Sequence, residues 1–145
     1  MSNAPARVRP LEPRDKPEWL ALFRDYIAFY RAVVPDAVVE LTWSRLMDPA
    51  SGIVGLAAVD DDDRAVGIAL LVFHPSTWSP TAYCYLEDLY VAPSERGKGT
   101  GRALIEAVYA AADARGATRT YCRKPGASDG AVAPGFRVFA SLRPE

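Results

Sequence analysis

The stretch Leu86-Glu87-Asp88-Leu89-Tyr90-Val91-Ala92-Pro93-Ser94-Glu95-Arg96-Gly97-Lys98-Gly99-Thr100-Gly101-Arg102 decides how the rest of the chain is read. An apolar run from Tyr83 ends at Pro93. Three glycines then alternate with Lys98 and Thr100, and Leu104, Ile105, Val108, Ala111 and Ala112 follow at helical spacing. Gly116 stands just past the last turn, where a helix C-terminus favours glycine. The pattern predicts strand, tight loop and helix. Such a junction leaves backbone N–H groups of the first helical turn without intrahelical partners, at the positive end of the helix dipole. Gly97, Gly99 and Gly101 let an anion approach that backbone and permit positive φ. Arg96, Lys98 and Arg102 add mobile positive charge around the same spot, so the loop reads as a pyrophosphate cradle. A Walker loop would end in Gly-Lys-Ser/Thr after a longer spacing, and a dinucleotide fingerprint would read Gly-x-Gly-x-x-Gly; the stretch fits neither.

The surrounding 145 residues suffice for one domain with a real core, and no repeat or linker divides them, so a single domain over 1–145 is expected. A formal net charge of -1 favours neither nucleic acid nor an anionic membrane as partner. No apolar run approaches membrane-spanning length, and the segment from Met1 to Arg7 lacks the apolar core of a signal peptide. Cys84 and Cys122 fall in predicted strands without metal-ligand spacing; they read as reduced thiols of a cytoplasmic protein. A disulfide between them requires their strands to be neighbours. The run Asp60-Asp61-Asp62-Asp63 lacks the alternate spacing and central glycine of a calcium loop, so it reads as a solvated hairpin turn and no metal is expected.

In chain order, Val8-Arg9 predicts a short first strand. Asp15 is placed to cap a helix with Pro17 in its first turn, and Trp19, Leu22, Phe23, Tyr26, Ile27 and Tyr30 form one face of it. Pro35 breaks the helix, and a second one is expected over Thr42 to Met47. Strands follow at Ile53 to Val59 and Ala65 to Phe73; the latter is apolar on both faces and should be central. His74, the only histidine, lies in the turn before the next strand. Trp78 in the same turn either lines an apolar substrate channel or caps the core edge. Period-two alternation puts Tyr83, Tyr85, Glu87, Leu89 and Val91 on one face of that strand and Cys84, Leu86, Asp88 and Tyr90 on the other. Glu87 then stands amid apolar surface, and a buried charge needs a partner or a purpose. After the helix come a strand over Ala117 to Arg123 and a final one over Gly135 to Leu142.

Arg-x-x-Gly-x-Gly at Arg96, Gly99 and Gly101, behind Leu-Glu-Asp-Leu-Tyr-Val and a proline, resembles the acetyl-CoA motif of the GNAT N-acetyltransferases. The element order resembles that fold over nearly the whole chain, an α/β (α+β) arrangement with a central mixed, mostly antiparallel sheet flanked by helices. Within the superfamily, Tyr85-Leu86-Glu87-Asp88, Arg96-Gly97-x-Gly99-x-Gly101 and Gly126-Ala127-Ser128-Asp129 with Gly135-Phe136-Arg137 are most similar to spermidine/spermine acetyltransferase and its bacterial relatives. The resemblance implies Glu87 as the base that strips a proton from the acceptor ammonium through water. It implies that backbone amides of Leu89, Tyr90 and Val91 hold the thioester and pantetheine of acetyl-CoA. It also implies that amides from Gly97 through Lys98, Gly99, Thr100 and Gly101 to Arg102 hold the pyrophosphate. The acceptor is a primary amine of a small molecule, with Tyr30, Trp78 and Asp88 as substrate-side candidates. Arginine at position 31, where polyamine enzymes place an acidic residue, fits a less charged amine or an amino acid derivative at least as well. Relatives carry a further helix, with a general-acid tyrosine, where this chain runs from Arg123 straight to Lys124-Pro125-Gly126. Tyr121 is the one position that could substitute, although a strand tyrosine more often packs. A sheet lacking that helix should self-associate through Thr118 to Phe139 as a homodimer. The rival reading is an acyl-CoA-binding or interaction module with little or no catalysis.

Overall fold

The computed structural model describes residues 6–123 and 139–141. Six strands, β1 (Arg7–Pro10), β2 (Ile53–Val59), β3 (Ala65–His74), β4 (Ala82–Val91), β5 (Ala117–Arg123) and β6 (Phe139–Ser141), lie side by side in sequence order. Every neighbouring pair is antiparallel except β4–β5, which is parallel. The parallel pair follows from the connection, because a strand can return in the same direction only through a crossover, here the helix α3 (Thr100–Ala114). β3 is central, as its two-sided apolarity requires. The sequence Gly126–Asp129, the expected extension of the last strand over 135–138, and the place of the expected helix deletion lie outside the described residues.

Two apolar layers sandwich the sheet. On one face α1 (Lys16–Phe29) and α2 (Asp36–Leu46) bury Trp19, Leu22, Phe23, Val39 and Trp43 against Ala57, Val59, Ile68 and Leu70. On the other, α3 buries Leu104, Val108 and Ala112, one residue per helical turn, against Leu56, Ala58, Ala69, Leu71 and Leu86. Each fully buried Leu, Ile or Val contributes roughly 1.5–3 kcal/mol, so these stripes anchor all three helices.

Local readings needed correction at three places. α2 begins at Asp36, directly after Pro35, not at Thr42. Proline breaks a helix behind it but readily starts one ahead of it, so the helix takes up the whole stretch. Asp15 does not cap α1 with its side chain. Its carboxylate, 3% exposed as a residue, instead takes two hydrogen bonds from Arg9 at 2.8 and 3.0 Å and one from the Glu12 amide at 2.7 Å. The four-aspartate turn closes the β2–β3 hairpin, but Asp63 is more than a solvated charge. It sits at φ +63° and accepts from Arg7, Arg9 and Arg14.

Candidate active site

β4 is built in two halves. Its ladder to β5 runs from Ala82 to Leu86 and stops, so beyond Leu86 the two strands part. At the same point Leu70 on β3 faces Asp88 while Leu71 faces Leu86, which makes Glu87 the extra residue of a β-bulge. The bulge flips the parity of everything after it. Cys84 and Leu86 pack on the α3 side and so do Leu89 and Val91, whereas Tyr90 joins the α1–α2 core. Strict alternation fails here because an inserted residue shifts the period by one. The bulge also changes the environment of Glu87, which is exposed and not embedded in apolar surface.

The backbone beyond the bulge has a fixed polarity. The Ala92 amide donates to Val66 on β3 at 2.9 Å. Strand alternation turns Tyr90 the same way and aims the amides of Leu89 and Val91 toward the side that β5 has left. The Tyr90 amide therefore belongs to the β3 ladder, and Tyr90 serves the site through its ring. The loop that follows reaches the positive end of α3 through left-handed residues at Gly97 (φ +81°) and Gly99 (φ +82°). A Cβ at Gly97 or Gly101 would meet nothing within 4 Å, so open space lies against this backbone. Thr100, the first residue of α3, is 2% exposed, and its hydroxyl has no hydrogen-bond partner among the described residues. A buried orphan hydroxyl beside unpaired helix N-terminal amides is the environment an anion satisfies.

These parts meet in one cavity of about 360 Å³, within the usual range for a small-molecule site. Leu89, Tyr90 and Val91 form one wall, Glu95 to Gly97 and Gly99 to Gly101 the second, and Tyr26, Phe29 and Tyr30 at the end of α1 the third. Tyr30, one of the substrate-side candidates, is thus among the lining residues. Arg96 is not mobile: its Nε donates to the Val91 carbonyl at 3.0 Å, and its guanidinium lies 5.3 Å from the centre of the Tyr90 ring. Lys98 pairs with Glu95 at 3.3 Å, and neither Lys98 nor Arg102 lines the cavity. Trp78 also lies apart. It is 85% exposed in the turn before β4, and the six residues from Ala82 to Glu87 alone span roughly 16 Å of strand.

Tyr26 was legible only as a core residue, yet it joins the site. Burial, and then the neighbouring Asp88 carboxylate to which it hydrogen-bonds, push its phenol well above the ordinary range. It stays protonated and acts as a fixed donor to Asp88. Its position one turn before Tyr30 was the available signal, because residues four apart share a helix face. Glu87 adds to the negative potential at Tyr26, which places both carboxylates near the end of α1. Among the described residues no group of His, Cys, Asp and Glu side chains could hold a metal ion. Cys84 and Cys122 lie on neighbouring strands as free thiols, and burial pushes Cys84 up to about 11, which makes it an inert core thiol.

A split parallel strand pair, a bulge at its fork and a glycine loop opening a helix define this site. The acetyltransferase (GNAT) family model matches residues 19–133, and the chain belongs to that family of acetyl-CoA-dependent N-acetyltransferases. It is 36% identical over 122 residues to the D-amino-acid N-acetyltransferase HPA3 of Saccharomyces cerevisiae, covering 83% of this chain and 76% of the relative. It is 30% identical to the aminoglycoside N(6')-acetyltransferase type 1 of Klebsiella aerogenes, over 99% of this chain and 96% of the relative. A crystal structure of a probable acetyltransferase superposes with a TM-score of 0.74 at 22% identity, covering 84% of this chain and 81% of that one, a likeness of fold.

Proposed function

We propose that this chain transfers the acetyl group of acetyl-CoA to the primary amine of a small amino-acid-like or related acceptor, with Glu87 as the base. The observation that carries this reading is the single cavity joining the amide-bearing half of β4 to the helix N-terminal loop. The Leu89 and Val91 amides would hold the thioester and pantetheine, and the backbone from Gly97 to Gly101 with the Thr100 hydroxyl would hold the pyrophosphate. Bound there, acetyl-CoA supplies the activated acyl group. The acceptor arrives as an ammonium, since an alkylamine has a pKa of about 10.4, and must lose a proton before its nitrogen can attack. Glu87, exposed at the fork, would take that proton through water. A C–N bond then forms, the C–S bond breaks, and the nitrogen's second proton ends on the departing thiol. The D-amino-acid and aminoglycoside enzymes named above both act on amines of small molecules, which supports this acceptor class. In this reading the chain works in the cytoplasm as a homodimer, which light scattering of the purified protein tests.

Thiol release with a panel of amines tests the reading. Glu87→Gln keeps shape and hydrogen bonding but cannot take a proton, so it should lower turnover at neutral pH about 10²-fold or more while acetyl-CoA affinity holds. Equal turnover removes Glu87 from the chemistry. A thermal shift with acetyl-CoA but no turnover with any amine favours a binding module instead.

A further inference from the structure

α1 ends in an unusual way. The Arg31 amide donates to the Ala28 carbonyl at 2.9 Å and the Ala32 amide to Ile27 at 3.1 Å. This paired closure needs a left-handed residue at its centre, a position that helices usually give to glycine. Here it is Arg31, at φ +53°. A side chain with a Cβ is disfavoured in that conformation, and glycine would relieve the cost. Arg31 is exposed, and no hydrogen bond or ion pair engages its guanidinium among the described residues. It directly follows Phe29 and Tyr30, both of which line the cavity while remaining 66% and 57% exposed. Arg31 thus carries an uncommitted charge one residue beyond Tyr30, although it does not itself line the cavity.

Of the charged residues that line the cavity, Glu95 pairs with Lys98 and Arg96 donates to the Val91 carbonyl. Glu87 and Asp88 bring negative charge beside Tyr26, and Arg31, next to Tyr30, brings a positive charge with no partner among the described residues. An α-amino acid carries an ammonium and a carboxylate on the same carbon, and its side chain can rest on exposed aromatic rings. We propose that Arg31 binds the carboxylate of the acceptor, so that the acceptor is an α-amino acid whose apolar side chain lies on Phe29 and Tyr30. The inference rests on the amine acetyltransferase reading above. It assigns the reacting nitrogen to the β4 side, the carboxylate to the guanidinium as a charge-assisted and potentially bidentate pair, and the side chain to the lip.

The backbone provides an unusually clean test. Arg31→Gly removes the guanidinium and relaxes the left-handed position, so the fold should hold or gain in thermal midpoint. Thiol release is compared for phenylalanine, in both enantiomers, and for 2-phenylethylamine, which lacks the carboxylate. The wild type should prefer one enantiomer of the amino acid over the amine. Arg31→Gly should raise KM for that amino acid about 10-fold or more, the loss typical of a charged hydrogen bond, and so collapse the preference. Arg31→Lys should restore part of it. An unchanged KM ratio between amino acid and amine overturns the carboxylate subsite, as does a loss confined to acetyl-CoA affinity, which would assign Arg31 to the cofactor's phosphates. Wild-type turnover of 2-phenylethylamine but of neither enantiomer overturns the subsite and leaves amine acetylation standing. Absence of turnover with every amine and amino acid overturns both.

Discussion

The Tyr121 hydroxyl lies 2.6 Å from Nε2 of His74, and Nδ1 of the same ring lies 2.7 Å from the Pro75 carbonyl oxygen. A carbonyl only accepts, so Nδ1 carries a hydrogen; in the neutral ring Nε2 must then accept, and Tyr121 donates. The Tyr121 proton therefore points across β4 to β3, not toward a departing thiol at the fork. The pair ties three strands together at the edge of a ring cluster with Tyr83 and Tyr85.

Tyr121→Phe should thus cost roughly 1 kcal/mol in urea unfolding, the worth of one partly buried hydrogen bond, and little in rate. Nitrogen-15 NMR should find the Nδ1–H tautomer in the neutral His74 ring. A kcat loss beyond tenfold in Tyr121→Phe would return this tyrosine to the role of general acid.

The cradle separates fold from binding at two glycines. Gly101→Ala places a methyl group in open space within the first turn of α3, so thermal stability should hold or rise by up to about 1 kcal/mol. Acetyl-CoA affinity should fall, because the methyl group occupies the anion's approach. Gly99→Val forces a β-branched residue to φ +82° and should abolish binding outright. Calorimetric titration of both variants checks the pair, and wild-type affinity in either one contradicts the assignment.

Acid should probe the other end of the sheet. Hydrogen bonds from Arg14, Arg9 and Arg7 hold the Asp63 carboxyl well below the usual carboxylate range. At Asp15 burial works the other way, but the bonds from Arg9 and the Glu12 amide outweigh it, so its shift is also downward. A depressed carboxylate stabilises fully above its unfolded value of about 3.9, and that stability is lost as pH falls through the folded value. The thermal midpoint should therefore drop steeply below about pH 4. Asp63→Asn, which tolerates the left-handed backbone, should lower the midpoint at pH 7 and flatten that acid limb. An acid limb as steep as that of the wild type would mean the arginines draw on another carboxylate.

What was legible in the sequence was whatever local chemistry decides. Gly97, Gly99 and Gly116 marked left-handed positions, Pro93 marked the end of β4, and the stripe through Leu104 and Val108 set the face of α3, whereas α1 closes at Arg31, well before Pro35. The bulge at Glu87 was not legible, since one inserted residue leaves no mark on composition and only the pairing with Leu70 and Leu71 reveals it. The commitments of charged side chains were hidden for the same reason. Arg96 on Tyr90 and Asp15 on Arg9 are choices among partners that the chain brings together only when folded. Arg31 lay between the two: its distance from a polyamine pattern was visible, its left-handed backbone was not.

Among the described residues, the fork between β4 and β5 leaves the sheet one partner short along the stretch from Leu89 to Val91. A guest with amide groups of its own, seated there, would act as a borrowed strand and finish a ladder that the polypeptide leaves open. Co-substrate supply and conformational integrity are then one thermodynamic quantity in this protein. At a hundredfold excess over its dissociation constant the guest adds about 2.7 kcal/mol to the unfolding free energy, a sizeable fraction of what a domain this size possesses.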